Sequence, residues 1–198
     1  MTSAITVQES AAPYGKAMMR PTTEGERRVI LHGVSWATYK ALSKDLGDSR
    51  ACRLAFDSGE MEIMSPYSKH GNSEFRIGQL VVVLSGEFGL PCIGLGALTC
   101  DRDDLQKSIE PDGCFYIQHA HLFEDIDLVD LKIHPPPDLM IEVDISTNSM
   151  KKLPICQALG VPEHWRFDGY NLEIRILKNG NYFESTESLI FPGLPLIE

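Results

Sequence analysis

Apolar and polar positions along the chain predict a series of short elements. An apolar run at Arg27–Leu31 reads as a strand entering the fold. Ser35 precedes Trp36, Tyr39 and Leu42 at near-helical spacing, and Gly47 follows. This predicts a helix capped by Ser35 and docked by one face. Two alternating runs, Cys52–Phe56 and Glu60–Met64, flank Asp57-Ser58-Gly59 and predict a hairpin. From Ser68 to Phe88, the residues Phe75, Ile77, Leu80, Val81, Leu84 and Phe88 recur at helical spacing. They predict the longest helix, ended by Gly89 and Pro91. Cys92–Cys100 is a strand candidate loosened by Gly94 and Gly96, and the charged connection DRDDLQKSIEPDG leads into a strand at Cys114–Ile117. Residues 119–134 read as a loop or short helix. Thr147–Leu159 predicts a helix with Lys151 and Lys152 near its start, Pro154 in its first turns and Gly160 at its end. Glu163–Phe167, Asn171–Leu177 and Tyr182–Glu184 then form an antiparallel meander. Its turns are Asp168-Gly169 and Asn179-Gly180, and Leu172, Ile174 and Ile176 share one face.

The segment Pro135–Ser146, PPPDLMIEVDIS, departs from this ordinary patterning. It reads as a buried central strand, yet it carries Asp138, Glu142 and Asp144. Alternation puts positions 138, 140, 142 and 144 on one face and Leu139, Ile141 and Val143 on the other. Acids on one face of an apolar strand repel each other and resist desolvation. A metal ion or basic partners would relieve that conflict; loop capping or arginine pairing at a sheet edge would serve equally. Asp112 opens the preceding strand. On adjacent strands, Asp112 and Glu142 can supply oxygen ligands to one or two divalent cations, with a nearby lysine orienting water or steadying negative charge.

Composition changes the picture in two respects. With 198 residues, 43% hydrophobic and 23% charged, residues 28–198 are expected to form one domain behind a flexible tail at 1–27. The net charge of −10 argues against a broadly basic nucleic-acid wrapper, so any basic surface must be local. No run is long and apolar enough for a membrane helix, and the first residues do not resemble a secretory signal, so a cytoplasmic location is expected. The five cysteines lack a CxxC spacing, and no GxSxG elbow occurs, which leaves metal-thiolate, disulfide and serine- or cysteine-nucleophile readings without support. His119, His121 and His134 fit no zinc spacing and are expected at the surface. Trp36 and Trp165 are expected in the core or an interface rather than stacked on bases.

Taken together, EPDGCFYI, PPDLMIEVDIS and KLPICQALGVPEHWRFDG, with SWATYKAL, SGEMEIMSP and the following His70, resemble the Uma-type restriction endonuclease family of the PD-(D/E)XK nuclease superfamily. The resemblance runs from about Val34 to about Pro195. It implies an α/β (mixed α+β) fold with a restriction-endonuclease-like central mixed sheet flanked by helices and extended by an antiparallel hairpin and meander. It also implies a homodimer and Mg²⁺- or Mn²⁺-dependent cleavage of DNA. Asp112 matches the aspartate of the PD element and Glu142 the glutamate of the E-x-K element. Asp144 stands in the lysine slot, as a further ligand or a supporting acid, and Lys152 matches a lysine displaced into the next helix. Glu62, His70 and Glu74 are further candidates for the site, Glu62 and His70 because they border the turn facing the sheet end. The alternative is a catalytically inactive dimeric binding or regulatory module on the same fold, which the acidic net charge and Asp144 favour. Glu142→Ala is expected to abolish cleavage and leave the fold intact, since it removes a repelling acid.

Overall fold

The computed structural model describes residues 27–47, 51–66, 68–124, 128–145 and 151–194. Strand alternation divides the described chain between two sheets. The first is antiparallel, with spatial order β1 (Arg27–His32), β3 (Glu60–Ser65), β2 (Arg53–Asp57), β6 (Lys107–Ile109), β5 (Cys100–Arg102). The second has the order β11 (Asn181–Ser185), β10 (Leu172–Lys178), β9 (Glu163–Phe167), β8 (Leu139–Val143), β7 (Gly113–Tyr116), β4 (Ile93–Gly94). Its β8 and β9 are parallel and its other pairings antiparallel, so this central sheet is mixed, as expected. A parallel pair needs a crossover. Helix α3 (Leu153–Leu159) lies on that connection.

The two-residue period decides what each face buries. Leu139, Ile141 and Val143 join Trp165, Ile174 and Ile176 on one face of the mixed sheet, against Ile77 and Val81 of α2 (Ser68–Glu87). Met140 and Cys114 face the other way. They meet Ile155, Cys156 and Leu159 of α3 together with Ala55 and Ile109 of the first sheet. That sheet turns Leu54, Phe56 and Met61 toward α1 (Trp36–Leu46), whose Tyr39 is fully buried and whose hydroxyl donates to Ser108 Oγ at 2.6 Å. The inner faces of the two sheets therefore confront each other across α3.

Local signals account for most boundaries. Ser35 Oγ accepts from the Thr38 amide, capping α1. The two hairpins turn at Ser58-Gly59 and Asn179-Gly180, all four residues at positive φ, as a type I′ turn requires. The buried Glu163 carboxylate accepts from Trp165 Nε1, Ser188 Oγ and the Leu189 amide, tying the C-terminal segment to β9.

Several expectations need correction. Cys92–Cys100 is not one strand: Ile93–Gly94 pairs with β7, Gly96 turns the chain at φ 55°, and Cys100 opens β5 in the other sheet. The charged connection after it is a hairpin, β5–β6, turned at Gln106 with φ 48°. Helix α3 begins at Leu153, after Lys152; Thr147–Met150 and residues 1–26 of the tail expected at 1–27 fall outside the described residues, while Arg27 opens β1. On α2 the stripe facing the core is Ile77, Val81 and Leu84, whereas Phe75 and Leu80 are exposed; Phe88, just past the end of α2, packs edge-on to Phe191. No described helix is long and apolar enough to cross a membrane.

Candidate active site between the sheets

Charged residues interrupt the apolar inner faces at one end of both sheets. On the first sheet Arg28, Arg53 and Glu62 share the inner face: Arg28 and Arg53 both pair in register with Met64, and Glu62 lies opposite Ala55. On the mixed sheet Gly113 pairs with Ile141, so the antiparallel register brings Asp112 opposite Glu142. Lys152 immediately precedes α3, and the first turns of α2 bring His70 and Glu74.

Asp112 is fixed by hydrogen bonds at both oxygens. Oδ2 accepts from the Val143 amide at 2.6 Å, satisfying a donor where β7 leaves the ladder, and Oδ1 accepts from Arg53 and lies 2.8 Å from His70 Nε2. Burial opposes ionisation of Asp112. The His70 hydrogen bond and the charges of Lys152 and Arg53 outweigh it and hold the carboxyl below its ordinary pKa. Arg53 also donates to Glu74 Oε2 at 2.8 Å.

Glu142 lies in a different balance. Lys152 Nζ donates to its Oε2 at 2.8 Å and lies 3.8 Å from Glu62 Oε1, which Arg28 also holds at 2.8 Å. Lys152 is 8% exposed, so it is not a solvated helix lysine. Burial works against its charge, but Glu142, Asp112 and Glu62 raise its pKa. Burial pushes Glu142 up to about 7; Lys152 pulls it down, and Asp112 adds to the rise. Oε1 of Glu142 is buried and has no hydrogen-bond partner among the described residues. Removing Glu142 would therefore leave a buried ammonium with Glu62 at 3.8 Å. The expectation that Glu142→Ala spares the fold gives way for that reason, and Glu142→Gln is the better probe.

The other acids of the central strand are relieved without a metal. Asp138 accepts from the Ile117 and His119 amides and lies 2.5 Å from His119 Nδ1, so it caps the loop after β7. Asp144 accepts from Arg166 at 3.1 Å and has Arg28 at 3.9 Å. His121 is exposed, and His119 and His134 are half-buried. Trp165 is core, and Trp36 packs on Tyr39. Burial raises the Cys114 and Cys156 thiols, making them poor nucleophiles at neutral pH.

A hard divalent cation takes oxygen ligands, and the donor set fits one. Glu142 supplies a buried oxygen without a partner, and Asp112 a rigid carboxylate with lone-pair capacity left. His70, Glu74 and Asp112 also bring ligand atoms within 4.8 Å of one another. The Arg53 guanidinium lies among those three, bonded to both acids and 3.3 Å from His70 Nε2, and serves them as an internal cation. Glu62, His70 and Glu74 thus all belong to this cluster.

A family model described as "Uma2: Putative restriction endonuclease" matches residues 36–196. The chain belongs to the Uma2 family. The Uma2 match takes in the whole cluster except Arg28. A crystal structure described as a "putative nuclease belonging to DUF820" from Anabaena variabilis is similar at 15% identity and TM-score 0.49, covering 79% of this chain and 88% of that one. No curated protein matches the chain.

Sequence reasoning did not reach Arg28, Arg53, Arg166 or His164. The signal available was parity: Arg28 and Arg53 share a face with the buried Met64, and His164 and Arg166 share one with the buried Met140 and Glu142. Cations there ask for acids on a facing element.

Proposed function

We propose that this Uma2 chain is a divalent-metal-dependent endodeoxyribonuclease, a hydrolase acting in the cytoplasm on DNA. The observation that carries the reading is the buried Glu142 oxygen, unpartnered among the described residues, beside a buried lysine and a rigidly held aspartate. Asp112 and Glu142 would hold Mg²⁺ or Mn²⁺. Such an ion lowers the pKa of bound water and offsets charge on a phosphodiester. Lys152, kept cationic by three carboxylates, is suited to steadying negative charge on the phosphate or orienting water. His70, Arg53 and the Val143 amide restrict Asp112 to one orientation, which is what preorganisation needs. Asp144 assists by keeping Arg166 and Arg28 in position rather than as a ligand.

Isothermal titration of the full chain with Mn²⁺ tests the donor set. Wild type is expected to bind, and Glu142→Gln to bind at least tenfold more weakly. Equal binding by both would remove Glu142 from the metal site.

A second reading, an inactive dimeric binding or regulatory module, is favoured by Arg53 among His70, Glu74 and Asp112, and by Asp144 in the lysine slot. Homodimer formation goes with either reading. Its support is the exposed apolar side chains Phe75, Leu80, Val82 and Val83 on α2.

A further inference from the structure

A cavity of about 330 Å³ opens beside Lys152, and its lining does not match the protein's overall charge. In a chain of net charge −10, the lining carries five cations, three of them the guanidinium groups of Arg28, Arg166 and Arg175. Two carboxylates oppose them, Glu142 and Asp144. The lining residues alone are therefore positive by three, and with Glu62 and Glu173, which pair with these cations from outside the lining, an excess of one remains, in a place where the proposed function needs basic surface to be local.

His164 supplies a second, independent observation. The residue lines the same cavity and is 3% exposed, and both ring nitrogens are buried with no hydrogen-bond partner among the described residues. A neutral imidazole carries one donor and one acceptor, and a buried ring that uses neither bears a desolvation cost without return. Burial first, then the charges of Arg175, Lys152 and Arg166, push its pKa down to about 3, so the ring is neutral at physiological pH. The β9–β10 register sets His164 opposite Arg175, and the β8–β9 register sets Arg166 beside Glu142. Imidazole and guanidinium groups thus continue one face away from the Glu142–Lys152 pair.

We propose that this cavity binds a phosphate of the nucleic-acid strand next to the one held at Glu142 and Lys152, with Arg175 and Arg166 as its guanidinium clamp and His164 turning its buried ring to donate a hydrogen bond to it. The inference rests on the nucleic-acid reading above. Guanidinium forks match phosphate oxygens in pairs, and a neutral imidazole adds a directional donor without further charge. The volume lies at the small end of ligand pockets, enough for a phosphate with part of its nucleotide. Arg175 and Arg166 share Glu173, at 2.8 and 3.1 Å, which holds both guanidinium groups toward the site while leaving donors of each available.

The test uses the full chain without metal and with EDTA, so that binding is read apart from cleavage. The probe is a thymidine dinucleotide carrying a 5′-phosphate, with inorganic phosphate as the second ligand. Affinity is measured by calorimetry and the histidine rings by ¹⁵N NMR. The dinucleotide is expected to bind at least tenfold tighter than inorganic phosphate and to move the His164 ring resonances. Arg175→Gln is expected to weaken dinucleotide binding at least tenfold, and His164→Phe severalfold. Arg175 is partly exposed and its variant keeps the fold accessible if His164→Phe does not fold. Equal affinity for both ligands would overturn the strand assignment. Unchanged binding in Arg175→Gln, or unmoved His164 resonances, would overturn the pocket. Dinucleotide binding with these losses in a protein that cleaves no DNA would uphold the pocket and sink the nuclease reading.

Discussion

Lys152→Met should be the most damaging single substitution in the site, and its cost should depend on pH. The variant leaves Glu142 buried without the one hydrogen-bond donor it has among the described residues, while Glu62 keeps Arg28. Breaking a buried pair from one side costs on the order of 3–5 kcal/mol when the remaining charge must stay ionised. Glu142 has an escape: its pKa already stands near 7, and loss of Lys152 removes the main influence pulling it down. It will therefore take up a proton and go neutral. Denaturant unfolding at pH 8 should expose most of the cost, and at pH 5 only a fraction of it. A Lys152→Met protein as stable as wild type at pH 8 would contradict the pairing. If the nuclease reading holds, cleavage should also fall at least a hundredfold at either pH.

The second large effect comes from two buried groups whose pKa shifts oppose each other. Glu142 has a folded pKa of about 7 against an ordinary value of 4.5. Between those values the native state binds the extra proton, so stability is fully present below 4.5 and lost as pH rises through 7. His164 has a folded pKa of about 3 against 6.5. There the unfolded state binds the extra proton, so stability is present above 6.5 and lost as pH falls toward 3. At about 1.4 kcal/mol per pKa unit, the full contributions are on the order of 3.5 and 5 kcal/mol, and their pH dependences largely cancel between pH 6.5 and 4.5. Wild type should accordingly show a nearly flat Tm across that window. His164→Phe removes one arm, and its Tm should climb as pH falls from 7 to 4.5, by on the order of 5–10 °C. Glu142→Gln removes the other, and its Tm should fall over the same range. Scanning calorimetry at four pH values decides it. Parallel curves for wild type and both variants would contradict the burial of these two groups as charge-sensitive sites.

What the sequence disclosed was local. Asn179-Gly180 and Ser58-Gly59 specify hairpins through backbone conformations few residues adopt, and Ser35 announces its helix by a cap; both signals lie within a few residues. The alternation of Leu139-Ile141-Val143 against Met140-Glu142 was equally legible, and with it the conflict of a carboxylate on a buried face. What settles that conflict was not. Asp138, Glu142 and Asp144 are relieved in three different ways, by backbone amides, by Lys152 and by Arg166; only Lys152 was marked, by its place before the LPICQALG helix, and which acid takes which partner was not. Arg53 reaches Asp112 across 59 positions, a contact that exists only once two sheets confront each other. The β5–β6 hairpin was hidden because its strands are three residues long and its turn, with Gln106 at positive φ, lacks glycine. Helix α2 misled in the other direction. Its apolar content exceeds its buried face, and helical spacing alone does not tell a core stripe from an exposed one.

The internal cation Arg53 is where the nuclease and binding-module readings part. An active enzyme needs Glu142 and Asp112 to accept a metal with Arg53 in position, whereas an inactive module needs only the ion pairs. The most direct measurement is nicking of supercoiled plasmid by the full chain with Mg²⁺, Mn²⁺ or EDTA, comparing wild type with Glu142→Gln. The account predicts metal-dependent nicking by wild type, none in EDTA, and a loss of at least a hundredfold in a Glu142→Gln protein that remains folded by circular dichroism. Absence of nicking with either metal, or a folded Glu142→Gln protein that cuts as well as wild type, would contradict it.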